Sequence, residues 1–99
     1  MSSAKVTPSK TMRGHKDRVR GVVHLPGGNR IVTCSTDGSL RLWDLKSSAQ
    51  IGQDWRDGGS NAGILSMALA PNGMIIASGS RDSTVSLWDI EKGEVIAKW

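Results

Sequence analysis

The 99-residue chain contains no tyrosine and no phenylalanine, so its aromatic content is four tryptophans. It has one cysteine, Cys34, which excludes an internal disulfide, and its two histidines stand in no metal-ligand spacing with it. No metal and no cofactor are therefore expected. No unbroken apolar run exceeds Met74–Ala77, far short of the roughly 20 residues of a membrane span. The opening MSSAKVTPSKTMR lacks the apolar stretch of a secretory signal. Helix formers do not dominate, and prolines number only three. What the chain does have is twelve glycines among recurring apolar residues, which argues against disorder. The expectation is a soluble, intracellular, cytoplasmic protein that is mainly β.

Basic residues outnumber acidic ones 13 to 9. Much of the excess lies early, with Lys5, Lys10, Arg13, Lys16, Arg18 and Arg20 facing only Asp17 in the first 20 residues. Such a run meets either solvent or an acidic partner. No aromatic residue interleaves with these charges to stack bases, so nucleic acid is the less favoured partner.

Sliding the chain by 45 residues superimposes it on itself without a gap. Between 14–54 and 59–99 ten of 41 aligned pairs are identical, among them Pro26/Pro71, Gly28/Gly73, Asp37/Asp82, Trp43/Trp88 and Asp44/Asp89. Each copy reads as strand, turn, strand, turn, strand. Arg18–Leu25 and Gly63–Ala70 end at Pro-Gly-Gly and Pro-Asn-Gly, tripeptides suited to turns. Arg30–Ser35 and Met74–Ser80 follow, then tight turns at residues 36–39 and 81–84. Leu40–Trp43 and Val85–Trp88 alternate with period two, and weaker fourth strands are expected at about Ala49–Trp55 and Glu94–Trp99. The reading is all-β: two four-stranded antiparallel units, at 14–56 and 57–99, behind a basic tail at 1–13. Glycine pairs invite a phosphate-loop reading, but neither Gly27-Gly28 nor Gly58-Gly59 is followed by Gly-Lys-Ser/Thr. Cys34, mid-strand and with no cationic neighbour or helix end expected to lower its pKa, reads as an inert buried thiol.

Gly14-His15, Asp37 and Trp43-Asp44, echoed by Ser78, Asp82 and Trp88-Asp89, resemble WD repeats, in two copies at about 14–55 and 59–99. The resemblance implies β-propeller blades around a central channel, with each copy's first strand innermost. It also implies a structural hydrogen-bond network: His15, Thr33 (or Ser35), Asp37 and Trp43 in the first copy, and Ser78, Asp82 and Trp88 in the second. In the second copy Ser60 stands where the histidine would be, so the network there is incomplete or closed by Ser60, Asn61 or water, and that unit is expected to be the less rigid. His15 with Asp37 and a hydroxyl invites comparison with a hydrolase triad, but no Gly-x-Ser-x-Gly elbow accompanies them. The family resemblance implies a non-enzymatic scaffold for protein partners. Its rim candidates here are Lys16, Arg18, Arg20, Thr36 and Arg81, a basic crown for an acidic protein or peptide.

Propellers close with about four to eight blades, and this chain has two. The expectation is that it completes a propeller by oligomerisation, three or four copies joining head to tail as a trimer or tetramer. The alternatives are a polyanion-binding rim and a piece of a longer propeller. In a ring Glu94–Trp99, being more apolar, should outcompete Ser9–Arg13 for the outermost strand position. Trp55 and Trp99 are expected to pack between blades, Trp43 and Trp88 inside them. His24 is expected to be a structural or channel-lining residue.

Overall fold

A computed structural model describes residues 14–57 and 62–99. The basic tail, Gly58-Gly59 and the substitutes Ser60 and Asn61 lie outside the described residues, as does any competition between Ser9–Arg13 and the last strand. Eight strands follow in order: β1 Val19–His24, β2 Arg30–Ser35, β3 Leu40–Asp44, β4 Ala49–Gln50, β5 Ile64–Leu69, β6 Ile75–Ser80, β7 Val85–Asp89 and β8 Glu94–Lys98. They form two antiparallel sheets of four, β1-β2-β3-β4 and β5-β6-β7-β8, each a meander of neighbours.

The turns explain the meanders. At the first, Gly28 N–H bonds to the Leu25 carbonyl (3.2 Å), and at its counterpart Gly73 N–H bonds to Ala70 (2.9 Å). Gly28 and Gly73 both hold positive φ, which is why the third turn residue is glycine in each copy. The turns after β2 and β6 also need a left-handed residue: Gly38 supplies it in the first sheet, whereas Ser83 must adopt φ 71° in the second. Both sheets carry a bulge at the start of their first strand, between Val19 and Gly21 and between Ile64 and Ser66.

The fourth strand departs from expectation in the first copy. Only Ala49–Gln50 pairs regularly with β3. The chain then turns at Gly52, φ 71°, and returns so that Trp55 and Leu40 exchange both backbone hydrogen bonds, at 3.0 and 2.7 Å. In the second copy β8 is continuous, and Trp99 exchanges the same pair of bonds with Val85, both 2.8 Å. Period-two alternation in β3 does not mean one wet face: Leu40, Arg41, Leu42 and Trp43 are all buried.

The two sheets pack face to face, with β1 beside β5. The shared core takes Val32, Cys34, Leu40, Leu42 and Trp55 from the first sheet and Ile64, Ile76, Trp88 and Ile90 from the second. Trp55 lies flat on Trp88, ring centroids 6.2 Å apart and planes 25° apart, so one of the two expected inter-sheet tryptophans is in place. Gly93 presses on the Trp55 indole and Gly73 on Pro26, both so closely that a side chain has no room. Trp99 is 69% exposed. His24 is likewise exposed on β1.

Candidate functional site

The polar side chains marked in the first copy converge. The β1 lead-in brings His15 over the sheet, β2 presents Thr33, the β2–β3 turn presents Asp37, and β3 presents Trp43. The Trp43 indole N–H donates to Thr33 Oγ1 at 2.8 Å, and His15 Nε2 lies 2.5 Å from that hydroxyl. With the hydroxyl accepting from the indole, its proton points to Nε2, which leaves the proton on Nδ1 facing Asp37 Oδ2 at 3.3 Å. Asp37 also accepts from Ser39 N–H (2.9 Å), Ser39 Oγ (2.6 Å) and Lys16 N–H (2.9 Å). The four expected members are thus joined, and Ser39 is a fifth.

Burial depresses the His15 pKa more than the neighbouring carboxylate raises it, so the imidazole is neutral near pH 7. Burial would raise Asp37, but the Ser39 hydroxyl, the Lys16 and Ser39 N–H groups and His15 together hold it well below the usual carboxylate range. Burial pushes the Cys34 thiol up to about 11, against a smaller opposing effect of Arg20, so it stays protonated, as an inert thiol should.

A second layer of the network has no sequence motif. Arg41, buried on β3, reaches Gln50 Oε1 (3.3 Å) and Asp54 (3.8 Å), and its Nε points at Ser39 Oγ (3.5 Å). Arg56 donates to Asp54 (2.9 Å) and to the Asp37 carbonyl (3.0 Å), closing a loop back to the network. The Arg56 hydrogen bond, with Arg41 behind it, keeps Asp54 ionised to lower pH than usual. The one available signal for Ser39 was the Asp-x-Ser/Thr spacing, repeated as Asp82-x-Thr84.

In the second copy the Trp88 indole donates to Ser78 Oγ at 2.8 Å. Asp82 binds its own turn, accepting from Thr84 N–H (3.1 Å) and Thr84 Oγ1 (2.6 Å), and is exposed. Among the described residues, Ser78–Trp88 and Asp82–Thr84 are separate pairs rather than one network.

The rim candidates gather at one end. Thr36 N–H bonds to the Arg18 carbonyl, and Arg81 N–H to the Gly63 carbonyl, each 2.9 Å. Gly63 abuts the Thr36 backbone, where an added Cβ would stand 2.9 Å from the Thr36 carbonyl, so the two sheets meet there. Lys16, Arg18, Arg20 and Arg81 are all exposed, with Arg18 and Arg81 at this junction. Thr36 Oγ1 is buried within it and has no hydrogen-bond partner among the described residues.

Paired four-stranded meanders repeating one register and one Trp–hydroxyl bond define a β-propeller type of repeat protein. The family model for WD domain, G-beta repeat matches residues 6–44 and 56–89, and the chain belongs to that family. It is 32% identical over 99 residues to WD40 repeat-containing protein HOS15 of Arabidopsis thaliana, covering 93% of this chain and 16% of that protein. It is 33% identical over 89 residues to a guanine nucleotide-binding protein subunit beta of the same plant, covering 88% and 24%. Similarity to the probable cytosolic iron-sulfur protein assembly protein Ciao1 of Culex quinquefasciatus is 32% over 91 residues, covering 91% and 27%. The chain thus spans about a quarter or less of the length of most of the curated relatives it matches. Among the described residues no helix is long and apolar enough to cross a membrane.

Proposed function

We propose that the chain is a non-enzymatic interaction module of the cytoplasm, two blades of a propeller whose basic rim receives an acidic segment of a protein partner. The observation that carries this reading is the junction at Thr36. Arg18 and Arg81 are bonded through their backbones at this junction, and with Lys16 and Arg20 they are exposed, a concentration of cations suited to a carboxylate through charge-assisted hydrogen bonds. Catalysis by the His15–Asp37 pair is disfavoured because Thr33, the hydroxyl beside His15, is buried and already accepts from the Trp43 indole. Titrating a fluorescein-labelled Asp/Glu-rich peptide by anisotropy tests the reading. Tight binding that weakens with salt and falls at least tenfold in an Arg18→Glu, Arg20→Glu double variant is expected. Equal or tighter retention on heparin or single-stranded DNA, lost in the same variant, would replace it with polyanion binding.

Three or four copies joined head to tail supply the remaining blades in this reading, giving six or eight. A second reading, a segment of a longer propeller, is favoured by the 16–27% of relatives' length that the chain spans. Light scattering on a sizing column decides between them. A species at three or four times 10.6 kDa supports the ring, and a monomer at every concentration supports the segment.

A further inference from the structure

We infer that the cleft between the outer edge of the first sheet, blade 1, and the β7–β8 turn of the second, blade 2, binds an aliphatic carboxylate. That chemistry is presented by the C-terminal residue of a peptide or by a free short-chain acid. The cavity there measures about 310 Å³ and is walled by Leu42, Ile51, Trp55 and Ile90. It lies at the small end of ligand sites, the size of one side chain with its terminal group.

One added residue builds the cleft. Trp55 bonds Leu40 as Trp99 bonds Val85, but one more residue lies between Ile51 and Trp55 than between Ile96 and Trp99. Ile51 N–H still bonds to the Leu42 carbonyl (2.8 Å), and the chain then leaves β3 at Gly52, φ 71°, until Trp55 rejoins it. The arch of Gly52, Gln53 and Asp54 lines one side of the cleft, and Glu91, Lys92 and Gly93 line the other.

The hydrogen bonds left unmade say what fits. Three tryptophans are buried, and two of them, Trp43 and Trp88, donate to hydroxyls. The Trp55 indole N–H donates to no described residue, although the side chain is only 6% exposed. An unpartnered donor at such depth is rare. Among the described residues the side-chain atom both sealed and unpartnered is Thr36 Oγ1, so the Trp55 nitrogen keeps access to the cleft it lines. Gly93, at φ 65°, preserves that access, because a Cβ there would sit against the indole nitrogen.

The rest of the lining is rich in donors. The Lys92 ammonium and the Gln53 side-chain amide have no partner among the described residues. Both carboxylates are engaged, Asp54 by Arg56 (2.9 Å) and Arg41 (3.8 Å), and Glu91 by Arg30 (3.8 Å). An indole N–H, an ammonium and an amide around an aliphatic wall match a ligand with two acceptor oxygens beside one branched apolar group. A carboxylate gains most, because Lys92 makes its hydrogen bond charge-assisted. None of the lining residues belongs to the basic rim, so this site stands or falls separately from the function proposed above.

The test follows the Trp55 indole N–H in a proton–nitrogen correlation spectrum of the isotope-labelled full chain, assigned from its contacts with Trp88 and Gly93. N-acetyl-leucine should move this signal downfield and saturably. N-acetyl-leucinamide, which lacks the charge, should bind about tenfold more weakly, and acetate, which lacks the apolar group, should leave the signal in place at the same concentration. Lys92→Gln, at an exposed position, should lower the affinity for N-acetyl-leucine to that of the amide. Isocaproate separates the two sources: affinity equal to that of N-acetyl-leucine assigns a free acid, and affinity about tenfold lower assigns a peptide terminus. A Trp55 signal that N-acetyl-leucine does not move overturns the site. Binding as tight for the amide, or undiminished in Lys92→Gln, overturns the carboxylate.

Discussion

In blade 1 the Trp43 indole begins a path of hydrogen bonds through Thr33, His15 and Asp37 to the backbone of Lys16; in blade 2 the Trp88 indole reaches Ser78 and goes no further among the described residues. Yet the two sheets share strand order and register. Among the described residues the two sheets therefore show different fastenings for the same meander. Blade 2 is fastened by contact with its neighbour: Trp88 lies under Trp55, and Trp55 is pressed by Gly93. Blade 1 depends on polar groups satisfying one another, and blade 2 depends on apolar area and on blade 1.

The largest expected effect comes from removing the apolar fastening. Trp88→Ala should cost about 3–5 kcal/mol by denaturant unfolding, because the side chain is fully buried and its loss leaves a cavity beneath Trp55. If blade 2 were held mainly by its polar pairs, the cost would stay near 1 kcal/mol. Next comes the same substitution made in both blades. Asp37→Ala strands His15, Ser39 and the Lys16 N–H and should cost about 2–3 kcal/mol. Asp82→Ala, on an exposed turn, should cost about 0.5 kcal/mol. Equal costs would erase the distinction drawn between the blades.

A reversible effect, smaller than that of Asp37→Ala, should appear with pH. The folded His15 pKa lies below its ordinary 6.5, so the unfolded chain takes up the proton first. Stability is then full above about pH 6.5 and declines as pH falls toward the folded value. Asp37, also depressed, adds a second decline below its ordinary 3.8. Thermal melts from pH 8 to 5 should show the first decline in the parent and not in His15→Phe. The smallest effect expected is a gain: Ser83→Gly relieves a left-handed serine where blade 1 has Gly38, and should stabilise by about 0.5 kcal/mol, most of the relief being offset by the freer unfolded chain. A loss on this substitution would mean that the Ser83 side chain does something in the turn beyond tolerating its φ.

The strands were legible because the repeat marks its turns with residues of special backbone preference, Pro-x-Gly and Asp-Gly/Asp-Ser, and these fall at the same offsets in both copies. The truncated β4 was not. Ala49–Trp55 carries apolar residues at strand-like intervals, and the break at Gly52 depends on Trp55 being drawn back to Leu40 by its packing on the next blade. The site divides in the same way. His15, Thr33, Asp37 and Trp43 belong to a motif, whereas Arg41, Asp54 and Arg56 meet only after the fold has brought β3 beside the chain returning from β4. Burial of Arg41 on a strand of period-two alternation has the same origin: both faces of β3 are covered.

Because the chain has no tyrosine or phenylalanine, its near-ultraviolet absorption comes almost wholly from four indoles in distinct settings. Two of them, Trp55 and Trp88, are close enough for their excited states to couple, and a twist between their transition dipoles gives a paired positive and negative band in circular dichroism. That couplet reports the joint between the blades and nothing else. Trp43, tied to Thr33, contributes to emission from a buried setting, and Trp99 from solvent. The protein thus carries an internal optical gauge: separation of the blades, opening of the polar network and covering of Trp99 are three distinguishable spectral events, readable without a label.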